Sequence, residues 1–285
     1  MLVGTALWIY GYFITGHPSL VDWRADAFRI IAPPCAGVPG VAAAGLCADR
    51  GAVAGAWVCL AMPLHYVAEI DNVRLAMDGL LTLSRAEADA LAVDFNRLWQ
   101  DSGLRMTAGR SAELYCIFDS AVEARTSDPQ DFLGRHIEEY LPAGTDAPRL
   151  KRLMSEMEMW LFEHRVNGDR AARGLPLISG LWLWGGAAPL ASLPAVLGFC
   201  AGDDVFFKAF ASGQSQSGVI VLSEAPGSEL WSRAESRWLE PAAALLRSGR
   251  ISRLDLSAGD RCFFVSARGS RRFWRRRKPW WESFR

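Results

Sequence analysis

The stretch EHRVNGDRAARGLPLISGLWLWGG, Glu163 to Gly186, sets one His, one Asn and three Arg just before an apolar run. On a continuous helix, His164, Asn167, Arg170 and Arg173 stand at successive three-residue steps, so their side chains are neighbours along one ridge. That set suits a carboxylate or a phosphate, because a planar guanidinium grips either oxyanion through paired hydrogen bonds. The same residues also have a structural reading. Cations near a helix C-terminus meet its dipole favourably, and Asn or His there can cap free carbonyls. Each such charge contributes only about 0.3–1 kcal/mol, so the pattern by itself leaves both readings open.

A second cluster lies in RGSRRFWRRRKPWWESFR. Arg271, Arg272, Arg275, Arg276, Arg277 and Lys278 can neutralise phosphates while Trp274 stacks on a base, which suits single-stranded nucleic acid or another polyanionic partner. Trp and Arg also suit a membrane surface. The structural alternative is that Phe273 and Trp274 extend the preceding strand into the core while the Arg side chains pair with acidic groups. Charge is divided accordingly: residues 261–285 carry a net +8 and residues 1–260 a net −8. The basic segment therefore either docks on its own body or reaches for an anion.

No further constellation supplies chemistry. Six cysteines (Cys35, Cys47, Cys59, Cys116, Cys200, Cys262) show no CxxC pair and no zinc spacing, and only four histidines are present. They read as reduced, mostly buried thiols of a cytoplasmic protein. His65 and His136 have no partner in sequence, and no phosphate-binding Gly-rich loop or nucleophile elbow appears. Asp203 and Asp204 can bind a cation or cap a helix. The expectation is thus no catalytic set, no metal site and no bound cofactor. The apolar start MLVGTALWIYGYFITG is short of the ~20 residues that a membrane-crossing helix needs, so it reads as a buried strand or helix and no transmembrane segment is expected.

Around these residues the elements alternate. GHPSLVDWRADAFRIIAPP reads as a short helix stopped by Pro33 and Pro34, and AWVCLAMP as a strand ended by Pro63. VRLAMDGLLTL carries an Asp-Gly pair that signals a hairpin. Ser84 and Glu87 form a capping box ahead of Leu91, Phe95 and Leu98 at helical spacing. AELYCIFD reads as a strand and SDPQDFLGRHIEEYLP as a helix. A long helix starts at Asp146 and runs into the His164 motif, followed by the strand LISGLWLW and a turn at Gly185-Gly186. Residues 193–213 repeat strand, turn and helix with Asp203 as cap. GVIVLS is a strand, Glu229 to Ser248 a helix divided by Pro241, and residues 251–267 a hairpin about Ala258, Gly259 and Asp260. The whole predicts an α/β (or α+β) protein with a mixed sheet covered by helices and a C-terminal hairpin. Its two regions are 1–142 and 143–285.

The pattern His164-Arg-Val-Asn167, then Arg170, Gly174, Pro176 and an apolar strand ending in Gly185-Gly186, resembles a motif of the archaeal-type cofactor-independent phosphoglycerate mutases of the alkaline phosphatase superfamily. DGLLTLSRAEADALAVDFNRLWQDSGLRM, RLKRLMSEMEMWLFEHRVN and LPLISGLWLWGG are more closely similar to the RpfE-like (regulation of pathogenicity factors) proteobacterial proteins, a group often named as phosphoglycerate mutases. The resemblance implies a truncated alkaline-phosphatase-superfamily scaffold. Enzymes of that superfamily use two metal ions held by Asp and His and a Ser nucleophile. This chain does not begin with an apolar strand followed by Asp-Gly and a downstream Asp-Ser nucleophile, and it has no His after His164. The resemblance therefore implies a noncatalytic regulatory or interaction protein that retains a phosphate or anion pocket and binds a protein partner. Two alternatives stay open. One is a phosphoglycerate-mutase-like enzyme acting on a phosphorylated small molecule. The other is a single-stranded nucleic-acid or exonuclease accessory protein, since genes of the RpfE-like group commonly neighbour a single-strand exonuclease gene.

Overall fold

The computed structural model describes residues 6–11, 23–33, 37–202, 204–210, 217–222, 236, 239–258 and 261–266. Strand β1 (Ala6–Gly11) forms from the apolar start, where Trp8, Ile9 and Tyr10 favour extended backbone. Helix α1 (Trp23–Ile31) ends just before Pro33, whose ring cannot continue a helix.

Residues 35–195 then build one compact unit. Its elements are α2 (Val41–Arg50), β2 (Trp57–Ala68), β3 (Val73–Leu80), α3 (Arg85–Leu98), β4 (Leu104–Ala108), β5 (Leu114–Phe118), α4 (Ala147–Phe162), α5 (Arg165–Ala172) and β6 (Gly180–Ala187). The five strands pair antiparallel throughout, in the order β3-β2-β5-β4, with β6 also on β2. The twelve-residue β2 is the spine of this sheet. Leu60 is flanked by Tyr115 and Trp184, and Leu64 by Leu80 and Gly180. Helices α2 and α4 pack on β6, and α3 on β4. Trp182, Tyr115, Phe118 and Phe95 are buried in the resulting core.

The chain returns with β7 (Phe199–Gly202), α6 (Val205–Lys208), β8 (Ser217–Leu222), α7 (Glu240–Arg247), β9 (Arg253–Ala258) and β10 (Arg261–Ser266). These join β1 and α1 in a second unit made of residues 1–34 and 196–285. Its sheet runs β10-β9-β1-β8-β7, parallel except for the β9–β10 hairpin. Parallel neighbours need crossovers, which explains why β1 pairs with strands more than two hundred residues away. Phe28 of α1 meets Phe206 and Phe210 at ring-centroid distances of 5.6 and 5.1 Å. Arg24 donates to Asp204 Oδ2 from both Nε (3.0 Å) and Nη2 (2.8 Å), so this buried ion pair is bound by a fork rather than left as bare charges.

The protein is therefore mixed α/β, with the expected hairpin at β9–β10. The compact units follow tertiary contact rather than the division at residues 142/143, because both ends of the chain feed one sheet.

Several local expectations are corrected. The β2–β3 turn is Glu69 to Asn72, closed by the Glu69 N–H donating to the Asn72 carbonyl. Asp78-Gly79 instead lies inside β3, where the β2–β3 register shifts. A Cβ on Gly79 would come within 2.6 Å of the His65 carbonyl oxygen, so glycine is required by space there. Pro63 does not end β2. Its carbonyl accepts from the Leu81 N–H, so its nitrogen faces the edge where β5 pairing has stopped at Leu60 and β3 pairing starts at Leu64. The missing N–H therefore removes no ladder bond.

Gly185-Gly186 is a bulge, not a terminal turn: Gly185 has φ +66, and the β2–β6 register slips by one residue beside it. The predicted helix over residues 127–142 is two 3-10 turns, Pro129–Phe132 and Glu138–Tyr140. Between them, Gly134 and Ile137 donate to β3 carbonyls and the Arg135 carbonyl accepts from Leu75, so these backbone groups serve the sheet. The cap of α6 is Asp204, which accepts from Phe206 and Phe207; Asp203 lies outside the described residues. Pro241 sits in the first turn of α7; of the part of the predicted helix before it, residues 229–235 and 237–238 lie outside the described residues. Strand β4 is an element that the sequence reading omits.

Candidate functional site

The predicted ridge is broken, because α4 ends at Phe162 and α5 starts at Arg165. The physical reason is where one carbonyl goes. Leu161 O, which a continuous helix would give to the Arg165 N–H, accepts instead from Asn167 Nδ2 at 2.8 Å and from the His164 N–H at 3.1 Å. His164 is extended at φ −72° and becomes the N-cap of α5, its Nδ1 accepting from the Val166 N–H at 3.2 Å. With Nδ1 as acceptor, the neutral ring carries its proton on Nε2, which lies 3.3 Å from Asp94 Oδ2. The ring stands edge-on to Trp160, and burial holds its pKa below the ordinary histidine value although Asp94 pulls upward.

Asn167 is buried and fully engaged. Nδ2 also donates to the Ile178 carbonyl at 2.9 Å, and Oδ1 accepts from the Ile178 N–H at 2.8 Å. The amide thus ties the end of α4 to the entry of β6, where leaving such buried groups unpaired costs about 1–3 kcal/mol each. Gly174 (φ +66) then terminates α5, with the Leu175 N–H donating to the Arg170 carbonyl.

Arg170 and Arg173 do converge, on a residue the motif did not single out for this role. Arg170 is 4% exposed; its Nε donates to the Pro176 carbonyl at 2.7 Å and its Nη1 to Glu87 Oε1 at 3.0 Å. The Arg173 side chain is 58% exposed, with Nη1 3.7 Å from the same oxygen. Glu87 Oε2 accepts from the Ser84 N–H at 2.7 Å, while Ser84 Oγ accepts from the Glu87 N–H at 3.3 Å. This is the capping box of α3 read from the sequence. Burial alone would raise the Glu87 carboxyl, but Ser84 and the Arg170 guanidinium outweigh it and hold the pKa low. One carboxylate therefore closes the α3 cap and anchors α5.

These side chains border a cleft of about 480 Å³ between the β3–α3 connection and the α5–β6 connection. Arg170, Arg173, Glu87, Ser84 and Thr82 supply its polar lining, and leucines with Pro176 the rest. His164 and Asn167 are not part of the lining. The Ser84/Glu87 signal was visible in sequence as a cap; that a buried acid needs a buried cation is what could have linked Glu87 to Arg170.

Of the other candidates, Arg271, Arg272, Trp274, Arg275, Arg276, Arg277 and Lys278 lie outside the described residues. Cys47, Cys59, Cys116 and Cys200 are buried free thiols, and burial raises the Cys59 and Cys200 pKa values, the latter to about 12. Among the described residues, no three His, Cys, Asp or Glu side chains gather as a metal-ligand set, and no helix is long and apolar enough to cross a membrane.

No protein-family model matches the chain. It is similar to the 2,3-bisphosphoglycerate-independent phosphoglycerate mutase of Methanothrix thermoacetophila, 34% identical over 92 residues, which are 32% of this chain and 23% of that protein. The protein of the same name from Methanosarcina barkeri is 35% identical over 68 residues, 24% of this chain and 17% of that one. These matches thus span about a quarter or less of the curated relatives' length. Among solved structures, the cofactor-independent phosphoglycerate mutase from Thermoplasma acidophilum aligns over 93% of this chain and 90% of its own, at 12% identity and a TM-score of 0.39. By sequence, then, the chain shows a weak, partial similarity to the cofactor-independent phosphoglycerate mutases.

Proposed function

We propose that this chain is a noncatalytic cytoplasmic interaction or regulatory protein on a mutase-like scaffold, akin to the RpfE-like proteins, with an anion pocket at the Arg173 cleft. The observation that carries this reading is the division of labour in the motif. His164, Asn167 and Arg170 are committed to capping, to bridging backbone, and to the Glu87 pair. Arg173 alone of the four presents a largely exposed guanidinium to a cleft. A side chain fixed by several internal bonds is poorly placed to move a proton or follow a substrate, whereas an exposed fork beside a cleft can accept an anion. The buried free thiols accord with a reducing compartment.

Thermal shift with inorganic phosphate, 3-phosphoglycerate and simple carboxylates tests the pocket, because a ligand of the folded state raises its midpoint by mass action. The expected result is stabilisation by at least one anion that Arg173→Ala abolishes, together with no interconversion of 2- and 3-phosphoglycerate in the presence of divalent metal. Enzyme-like interconversion would replace this reading by the activity that the curated relatives' name carries.

A further inference from the structure

The composition of the cleft says more than that an anion binds there. Three charged side chains line it, Arg170, Arg173 and Glu87. Glu87 Oε1 lies 3.0 Å from Arg170 Nη1 and 3.7 Å from Arg173 Nη1, so one carboxylate faces two guanidiniums and a single positive charge is left over. A phosphate monoester brings about −1.5 to −2 at neutral pH and would set surplus negative charge beside Glu87. A carboxylate brings −1 and balances the site, and its two oxygens match the guanidinium fork. The remaining wall is apolar, with Leu81, Leu83, Leu175 and Pro176. A ligand polar on every side would leave that wall unused, whereas an apolar body would be removed from water against it. Ser84, at the N-terminus of the fourteen-residue α3, also borders the cleft and adds the positive end of a helix dipole.

We propose that this cleft binds a monoanionic carboxylate carried on an apolar body, as found at the end of a polypeptide that terminates in an aliphatic residue or in a free aliphatic acid. The carboxylate pairs with Arg173, and the body lies on Leu81, Leu83 and Leu175. This rests on the anion-pocket reading above and narrows it to one class of ligand.

The test is titration of the full chain, followed by calorimetry or amide shifts, with acetate, butanoate, hexanoate, inorganic phosphate, and a pentapeptide ending in Leu with a free or an amidated C-terminus. Affinity is expected to rise about fourfold for each added methylene group. Arg173→Ala should weaken hexanoate by about tenfold or more while leaving the thermal midpoint unchanged, because that side chain is largely exposed. Leu83→Ser should flatten the chain-length series without removing acetate binding. A free-terminus peptide that outbinds both hexanoate and its amidated form assigns the ligand to a polypeptide end; hexanoate outbinding the peptide assigns a free acid. Phosphate binding tighter than hexanoate, with no gain along the series, overturns the proposal and leaves the pocket standing. Absence of binding by every anion, phosphate included, removes the pocket reading as well.

Discussion

His164 illustrates how an ionisable side chain is committed by its surroundings. Its Nδ1 takes one of the free amides at the start of α5, and its ring is enclosed by Trp160 and the α3 residue Asp94. Burial depresses its pKa, so the folded protein resists a proton that the unfolded chain accepts near pH 6.5. The resulting contribution to stability is fully present above the unfolded value and is lost as pH falls towards the folded one. Protonation also removes the capping acceptor. Urea midpoints should therefore fall between about pH 7.5 and about pH 5.5. His164→Asn keeps a capping acceptor without the titration and should show the smaller drop. Identical pH dependence in the two proteins would show that His164 does not titrate against folding. What the sequence could not reveal at this scale is which carbonyl Asn167 would take. The three-residue spacing of His164, Asn167 and Arg170 was legible, but the diversion of Leu161 O depends on Ile178 arriving from the next element.

At the scale of elements, apolar runs and caps were legible because they are local. The Ser84/Glu87 box, the apolar stripe of α4 and the apolar runs of β5, β6 and the part of β2 before Pro63 are signalled by neighbouring residues. Features set by a pairing partner were not. Pro63 is tolerated only because β2 changes neighbours there, and Asp78-Gly79 sits in a strand because His65 approaches it. Strand β4 did alternate, with Leu104, Met106 and Ala108 buried and Arg105 exposed, but five residues are too few to outweigh the helix before them. Gly186 offers the sharpest test. A Cβ there would lie 1.8 Å from the indole of Trp57, which is buried against Phe118. Gly186→Ala must therefore push either the ring or β6, at a cost of about 1–3 kcal/mol for an overpacked core. Chemical denaturation should show that loss, with a changed near-ultraviolet tryptophan signal. Wild-type stability in the variant would mean that the β2–β6 contact is looser than described.

At the scale of the whole molecule, the sequence order conceals the sheet order. Strand β1 pairs with β8 on one side and β9 on the other, so the sheet of residues 1–34 and 196–285 closes only when both ends of the chain are present. No local signal foretells such a contact, because the period of an apolar run identifies a strand but not its neighbour. Residues 35–195, by contrast, contain a complete antiparallel sheet, its covering helices and the Glu87–Arg170 pair. Residues 35–195 expressed alone should therefore unfold cooperatively on heating and give dispersed amide resonances, since a domain with its own core can fold by itself. Residues 196–285 alone should not, because without β1 the facing edges of β8 and β9 lose their shared partner. Adding residues 1–34 in trans should restore order to the second fragment if the missing strand is the cause. A structured 196–285 fragment, or a disordered 35–195 fragment, would show that the folding units do not coincide with the two sheets.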